Sequence, residues 1–450
     1  MTSPLPPVAG APSRPFDVTH RSVLAIAVPM TFAFLTTPLL GLTDLAVVGQ
    51  FGDAAMIGGL AIGAIVFDFV FAMFYFLRLS TTGLVAQAIG RDDILEEQAV
   101  FWRAMLIAVS GGLAILLLSP LIAATGLWLM APDGAVAEAA RSYIALRILA
   151  APFTLANYVL LGVLLGRGES LRGLMLQILI NVTNIVFSVL LGLWLGYGLE
   201  GVAIGTIIGE IVGAVAGTIL IVRRFDPAGR PTRQAILDRP ALARLFGLNR
   251  DIFIRTVALM TAFALFTRTG AQFGAVTLAA NAILMNFFLI GSYFLDGLAT
   301  AAEQIVGRAI GANFRPAFSR GVRLTVLWGF VMAAIFALVT AVGGGPLIDF
   351  MTTAPEVREE ARAYLVWAAL SILTGVLAFQ MDGVFIGATW SREMRDMGLI
   401  GFGFFLALLW LVVPSTGNTG LWLAFNAFLV ARGVLLLAIL GRKADATFAT

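Results

Sequence analysis

The feature that most constrains this chain is a succession of apolar runs, each about 20 residues long or longer. Six runs precede residue 223 and six follow residue 250. They lie at 23–49, 54–79, 98–124, 137–166, 171–195 and 200–222, and then at 251–272, 276–302, 317–343, 357–388, 394–414 and 418–441. A helix needs this length to cross a bilayer. The sequence therefore predicts an all-α polytopic membrane protein with twelve transmembrane helices.

The composition is that of a protein surrounded by lipid. Of the 450 residues, 60% are hydrophobic and 12% are charged, whereas soluble domains carry about 25% charged residues. Cysteine is absent and His20 is the only histidine, which argues against disulfides, thiolate metal sites and a histidine proton relay. The net charge is only +3. We expect a lipid bilayer as partner, and neither a nucleic acid, a metal nor an organic cofactor.

Arginines in the connections indicate the orientation. The connections after helices 2, 4, 6, 8 and 10 are basic, whereas the turns after helices 1, 5, 7 and 11 carry no arginine. The basic connections hold Arg91, Arg167, Arg172, Arg223, Arg224, Arg230, Arg233, Arg239, Arg244, Arg308, Arg315, Arg320, Arg392 and Arg395. Because basic loops stay in the cytoplasm, both termini are predicted to be cytoplasmic. Residues 1–20 are predicted to be a disordered tail without a removable signal peptide, and residues 442–450 a C-terminal tail.

The sequence repeats itself with a shift of 221 residues. The tripeptide AIG at 88–90 recurs at 309–311, and the glycines at 162 and 166 recur at 383 and 387. The repeat predicts two pseudo-symmetric six-helix lobes in parallel orientation, at 21–222 and 251–441, joined by a cytoplasmic connection at 223–250. Transporters built from such repeats bind substrate at or between the halves and alternate their access.

An acidic residue lies deep in the first helix. Asp44 stands in PLLGLTDLAVVGQ, between Leu-rich sequence and Ala-Val-Val. An ionisable group at membrane depth costs several kcal/mol unless it faces a protein interior or a water-filled cavity. Asp44 is therefore a candidate functional residue. Pro29 and Pro38 lie in the same helix and permit it to bend.

Other polar residues of the first half collect on helix faces. Asn181, Asn184 and Ser188 share one face of helix 5. Helix 4 offers Asn157, and helix 6 offers Thr206 and Glu210 at positions i and i+4, among five glycines at four-residue spacing. Together with Asp44 these residues can build a water-accessible pocket in which the acid changes protonation. The alternative is that the Asn, Ser and Thr side chains are interhelical hydrogen bonds.

Further acids lie within other helices. Asp68 in AIVFDFVFAMF must find a hydrogen-bond donor or stay protonated at neutral pH. Arg78 is ten residues further along the helix, too far to be its direct partner. In the second half, Asp296 and Glu303 share a face of helix 8, and Asp382 lies in helix 10. Acids beside aromatic residues suit a lipophilic cation. We predict substrate binding by Asp68, Asn181, Glu210, Asp296 and Asp382.

Catalytic signatures are missing from the sequence. It has no phosphate-binding Gly-Lys-Ser/Thr loop, no G-x-S-x-G elbow and no H-E-x-x-H helix. We therefore predict a transporter and not an enzyme, driven by an ion gradient.

Several stretches resemble one transporter family. PLLGLTDLAVVGQ, FLRLSTTGLVAQAIG, LANYVLLGVLLG, NRDIFIR, YFLDG and DGVFIGAT occur in this order between about residues 20 and 440. They are similar to the multidrug and toxic compound extrusion (MATE) family, most of all its DinF-like branch. The resemblance implies a V-shaped exporter of two six-helix lobes, driven by protons or Na⁺. It also implies an ion-coupling site in the first lobe, formed by Asp44, Asn157, Asn184, Ser188 and Thr206.

One position departs from the family pattern. Ser188 stands where relatives of this branch have a carboxylate. With fewer anionic ligands for Na⁺, proton coupling is favoured. The sequence therefore predicts a proton-coupled antiporter of amphipathic, cationic organic compounds, monomeric and multi-pass in a bacterial inner membrane. The alternatives are a Na⁺-coupled drug antiporter and a flippase for lipid-linked precursors.

Overall fold

A computed structural model describes residues 13–449, and every regular element in that range is helical. Twelve helices are long and apolar enough to cross a membrane. They are α1 (His20–Gly49), α2 (Ala54–Gly90), α3 (Ile94–Leu117), α4 (Gly134–Gly166), α5 (Ser170–Trp194), α6 (Gly198–Val222), α7 (Arg239–Ala271), α8 (Ala275–Gly311), α9 (Arg315–Met351), α10 (Pro355–Gly387), α11 (Ser391–Leu411) and α12 (Val413–Phe448). The prediction of an all-α protein with twelve membrane helices is confirmed.

Several helices differ in length from the apolar runs that predicted them. Helices α2 and α8 continue to Gly90 and Gly311, well past the predicted ends at 79 and 302. Buried polar residues are accommodated within the helix there. Thr82, for example, donates its hydroxyl to the carbonyl of Arg78 (2.9 Å) in the preceding turn. Helix α12 likewise continues through most of the predicted tail 442–450.

Proline divides one predicted helix in two. The third run was predicted to extend from 98 to 124, but α3 ends at Leu117 and a short helix, Ser119–Met130, follows. Pro120 stands in the first turn of the short helix. Proline fits in the first turn because the N–H that it lacks would have no partner there. It ends the preceding helix because a helix interior needs that N–H.

The described part of the predicted N-terminal tail is packed against other residues. Residues 13–19 form no helix, yet Val18 is buried, and the Arg14 amide donates to the carbonyl of Ala312 (2.9 Å). Arg308 also lies over the Phe16 ring, 4.4 Å from its centre. Residues 1–12 of the predicted tail lie outside the described residues.

The chain divides into two compact units. Of the described residues, unit 1 comprises 13–31, 86–92 and 244–449, and unit 2 comprises 32–85 and 93–243. The predicted lobes have simpler boundaries, since the start of α1 and the end of α2 pack within unit 1. In unit 1 the start of α1 meets α8 so closely that a Cβ at Gly297 would lie 2.7 Å from the carbonyl oxygen of Ala27.

The connection after α6 is bound to α3 within unit 2. Arg103 donates to the carbonyl of Ala235 (2.7 Å) and pairs with Glu96 (2.9 Å). Gln98 donates to the carbonyl of Asp226 (2.8 Å). These bonds order a segment whose composition alone indicates only a basic loop.

Glycines allow α2 and α4 to touch backbone to backbone in unit 2. A Cβ added at Gly162 would lie 2.7 Å from the carbonyl oxygen of Arg78, and one at Gly166 would lie 2.8 Å from that of Thr82. No larger residue fits at either position without separating the helices.

The same contact recurs in unit 1 between α8 and α10. A Cβ at Gly383 would clash with the carbonyl oxygen of Ala299, and one at Gly387 with that of Glu303. All four positions lie 221 residues after their counterparts in unit 2. The sequence repeat therefore corresponds to a repeated helix-pair geometry.

Large apolar side chains cover much of the outer surface. Trp128, Trp194 and Trp410 are 79%, 77% and 84% exposed, near the ends of the short helix, α5 and α11. Tryptophan concentrates at membrane–water interfaces because its ring is apolar and its N–H is polar. Each of these residues is suited to anchor its own helix end at a membrane–water interface.

The glycine contacts can be tested by paired Gly→Ala substitutions. Alanine in a helix ordinarily stabilises it by about 0.5–1 kcal/mol relative to glycine. We expect Gly383→Ala to lower the melting temperature of the purified, detergent-solubilised protein, because the methyl group separates α8 from α10. Gly403→Ala, with open space around the added methyl group, should leave the melting temperature unchanged or raise it. Equal behaviour of the two variants would contradict the packing argument.

Candidate functional site

Asp44 of α1 is a buried carboxylate with incomplete hydrogen bonding. Its side chain is 9% exposed, and among residues 13–449 no partner reaches its Oδ1 atom. The Ser188 hydroxyl of α5 lies within hydrogen-bonding reach of the carboxylate. Ser188 also donates to Asn184 Oδ1 (3.2 Å). The structure thus brings together three of the predicted coupling residues, Asp44, Ser188 and Asn184.

An arginine that the sequence analysis did not single out lies beside this acid. Arg147, near the middle of α4, interacts electrostatically with Asp44 and with Asp68 of α2. Its side chain lies within reach of the Tyr143 hydroxyl, and its guanidinium carbon lies 5.3 Å and 5.4 Å from the ring centres of Phe67 and Phe71. Arg147 therefore exerts an electrostatic influence on Asp68, which was expected to find a hydrogen-bond donor or to stay protonated.

The position of Arg147 coincides with a change in helix geometry. The residues that follow it, Ile148–Ala150, form a 3-10 turn before α4 continues. Pro152 explains the change, because its ring clashes with the carbonyl four residues earlier and its nitrogen donates no hydrogen bond. Such an interruption within a long helix often marks a functional segment.

Two other predicted residues meet on the neighbouring helices. Asn157 of α4 donates to Glu210 Oε2 of α6 (2.7 Å) and to the carbonyl of the same residue (3.0 Å). Tyr158 is subject to the electrostatic influence of Glu210, Arg147 and Asp68. Tyr158 is therefore within electrostatic range of both Glu210 and Arg147.

The remaining predicted residues of unit 2 have local partners. Asn181 donates to the Thr36 hydroxyl (2.7 Å) and accepts from Gln177 (2.9 Å). Thr206 is buried and donates its hydroxyl to the carbonyl of Val202 (3.1 Å) in its own helix. For Asn181 the structure favours the reading of an interhelical hydrogen bond.

The polar cluster depends on the close approach of α5 and α6. A Cβ at Gly205 would lie 2.8 Å from the Ser188 hydroxyl oxygen, and one at Gly209 would lie 3.1 Å from Asn184 Cβ. This agrees with the packing role expected for the glycines of α6. From Ser188 to Trp194, α5 widens into a π-helix, a geometry frequent at functional sites.

The predicted acids of unit 1 lie in a different electrostatic environment. Asp382 of α10 is ion-paired with Arg255 of α7 and with Arg432 of α12 (2.6 Å for the latter). Asp296 interacts electrostatically with both arginines, and Glu303 interacts with Arg255. Both guanidinium groups donate to the same carboxylate oxygen, Oδ2.

The sequence analysis did not assign a function to the two arginines that pair with Asp382. Arg255 closes the NRDIFIR stretch, and Arg432 lies inside the last apolar run. An arginine inside an apolar run needs compensation by an acid. Applied to this sequence, that principle would have singled out Arg147, Arg255 and Arg432. Among the described residues, no group of three or more acidic or histidine side chains could hold a metal ion.

Two repeated six-helix halves with buried carboxylates inside apolar helices are typical of a polytopic membrane transporter. The chain belongs to the MatE family, whose model matches residues 29–190 and 252–411, one segment in each half. It is therefore a MATE-family membrane transporter and not an enzyme. The resemblance read from the sequence motifs is confirmed.

Known relatives cover nearly the whole chain. DNA damage-inducible protein F of Escherichia coli (strain K12) is 37% identical over 432 residues, covering 94% of this chain and 92% of the relative. Multidrug resistance protein MdtK of Edwardsiella ictaluri (strain 93-146) is 23% identical over 439 residues, covering 92% and 94%. The similarity to bacterial relatives and the twelve apolar helices support a multi-pass protein of the inner membrane.

Solved structures show the same fold. The Vibrio cholerae MATE transporter VcmN in its bent form superposes with a TM-score of 0.87 at 20% identity, covering 95% of this chain and 98% of that chain. A MOP superfamily transporter from Pyrococcus furiosus Vc1 (DSM3638) superposes with a TM-score of 0.87 at 16% identity, covering 95% and 96%.

The ion pairs of Asp382 predict a large cost for removing its charge. Breaking a buried pair while leaving its partner charged costs about 3–5 kcal/mol, and Asp382→Asn removes the carboxylate that is ion-paired with both arginines. We expect a clear fall in melting temperature for this variant in detergent.

A matched control lies at the surface. Asp349 also faces two arginines, Arg358 and Arg362, but its side chain is 40% exposed. Exposed pairs contribute about 0–1 kcal/mol, so Asp349→Asn should melt near wild type. Similar losses in both variants would show that burial does not decide the cost.

Proposed function

We propose that this protein is a secondary active antiporter that exports amphipathic, cationic organic compounds in exchange for protons. The predicted lobes 21–222 and 251–441, joined by 223–250, would alternate access, with both termini in the cytoplasm. Membership of the MatE family and the name of the relative MdtK support drug export. The observation that carries the coupling proposal is the buried Asp44 carboxylate, one oxygen of which has no partner in the described residues.

The surroundings of Asp44 favour a proton over a metal cation as coupling ion. A proton needs one free carboxylate oxygen, whereas a hard cation needs several oxygen ligands. The nearest helix 5 residues supply a hydroxyl and an amide, Ser188 and Asn184, which already bond to each other (3.2 Å). Because position 188 is a serine, it offers no second carboxylate that could bind a metal cation together with Asp44.

The other predicted coupling residues, Asn157 and Thr206, are placed near Glu210. Asn157 is engaged with Glu210, and Thr206 lies on the same face of α6 as Glu210. We propose that this pair and Asp68 form the substrate-facing polar part of unit 2, while Asn181 orients α1 through Thr36. The roles of Asp296 and Asp382 in substrate binding stay predictions.

The coupling ion can be determined in proteoliposomes loaded with a fluorescent cationic dye. We expect an outside-acid pH gradient to accelerate dye efflux without added Na⁺, because protons entering the vesicle exchange for dye leaving it. Collapsing the gradient with a protonophore should abolish the acceleration. Efflux that requires a Na⁺ gradient and ignores the pH gradient would identify the Na⁺-coupled alternative.

A substitution at Asp44 separates coupling from folding. Asp44→Asn keeps the shape of the side chain and resembles the protonated state, so we expect normal membrane abundance and loss of gradient-driven efflux. Asp53→Asn is the control: Asp53 caps α2 through the amide of Ala55 (2.8 Å), and asparagine caps a helix equally well. Wild-type efflux by Asp44→Asn would show that another group carries the proton.

A further inference from the structure

An apolar groove lies between α3 and the connection that follows α6, within unit 2. Its floor is one face of α3, and its roof is the short helical turn Arg233–Ile236 with the residue after it. The volume of the groove is about 400 Å³, within the range of about 300–1,000 Å³ that small-molecule pockets occupy. The residues that line this connection groove are Trp102, Met105, Leu106 and Val109 in the floor and Arg233, Ile236 and Leu237 in the roof.

Contacts between the connection and α3 hold the roof in place. Arg103 donates through Nε and Nη2 to the carbonyl of Ala235 (3.2 and 2.7 Å). Gly229 lies so close to α3 that an added Cβ would clash with the side chain of Ile94. The groove is therefore built by tertiary contacts and is more than an uneven part of the helix surface.

The lining of the groove is suited to a hydrocarbon chain. Trp102, Leu106 and Val109 follow one another at helical spacing and share one face of α3. Leu106 and Leu237 are 47% and 55% exposed. An exposed leucine is expected on a helix that faces lipid, but Leu237 belongs to the basic connection. Its apolar surface is stabilised when hydrocarbon covers it.

Arg233 is the charged residue of the groove, and its side chain is free. It is exposed, and its guanidinium has no hydrogen bond or ion pair among residues 13–449. The two acids of the connection, Asp226 and Asp238, each accept a backbone amide hydrogen bond at a helix start (2.9 and 3.0 Å). A free guanidinium at the edge of an apolar groove attracts a phosphate group and repels a cation.

We propose that the connection groove binds an anionic phospholipid, with an acyl chain against α3 and the phosphate group on Arg233. Basic pockets on the cytoplasmic side of membrane helices bind anionic lipid headgroups, and the arginines of the connection predict a cytoplasmic position. The bound lipid covers Leu237 and completes the contact between the connection and α3. This site is separate from the proposed antiport, because lipid binding requires neither a gradient nor a transported substrate.

Tryptophan fluorescence can detect a lipid in the groove, because bromine atoms on an acyl chain quench a tryptophan ring that they touch. The full-length protein is placed in phosphatidylcholine nanodiscs that contain increasing fractions of acyl-brominated phosphatidylglycerol or acyl-brominated phosphatidylcholine. Both lipids occupy both leaflets, so the measurement does not depend on the predicted orientation. Because the chain has eight tryptophans, the signal of Trp102 is taken as the difference between wild-type protein and Trp102→Phe.

We expect Trp102 to be quenched at an about fivefold lower fraction of the anionic lipid than of phosphatidylcholine. This ratio corresponds to the contribution of one arginine near an anionic membrane surface. Arg233→Gln should abolish the preference, whereas Arg233→Lys keeps the positive charge and should keep most of it.

A matched control removes the same charge from the same connection. Arg239 is exposed and does not line the groove, so Arg239→Gln should retain the fivefold preference. Equal quenching by the two lipids in wild-type protein would overturn the inference, as would a full preference in Arg233→Gln. Equal losses in Arg233→Gln and Arg239→Gln would also overturn it, because they would show attraction to the whole basic connection and not a site at Arg233.

Discussion

The structure depends on the cost of leaving a polar group unpaired in a hydrocarbon environment. That cost forces the backbone of each membrane segment into a helix, in which every peptide group finds its partner locally. It acts equally on the charged side chains inside the helices, which must find opposite charges on other helices. Arg147 faces Asp44 and Asp68, while Arg255 and Arg432 share Asp382.

Close helix packing makes these pairings possible. Lipid provides no hydrophobic drive for helices to associate, so small residues and direct backbone contact hold them together. Gly162 in unit 2 and Gly383 in unit 1 bring the backbones of two helices into contact. On α6, Gly205 brings the helix against Ser188, which in turn lies within reach of Asp44. The geometry of the candidate site thus depends on glycines, which have no side chain to keep the helices apart.

The two halves use the same scaffold with different electrostatics. In unit 1 the carboxylate of Asp382 is ion-paired with two buried arginines, on which Asp296 and Glu303 also act. In unit 2 one oxygen of Asp44 has no partner among the described residues. The half that leaves a carboxylate oxygen without a partner is the one suited to take up a proton or a cation.

The sequence by itself determined the helix count, the family and the 221-residue repeat, because each follows from local composition or from residue order. It also singled out Asp44 and Ser188, since an acid inside an apolar run and a departure from a family pattern are visible in one dimension. Only the tertiary structure showed that Asn157 bonds Glu210, that Asn181 bonds Thr36 and that Asp382 pairs with Arg255 and Arg432. These partners lie on different helices, far apart along the chain. Apolar periodicity shows that a helix is buried in lipid, but the rotation and depth that bring one charge to another are set by the packing of whole helices.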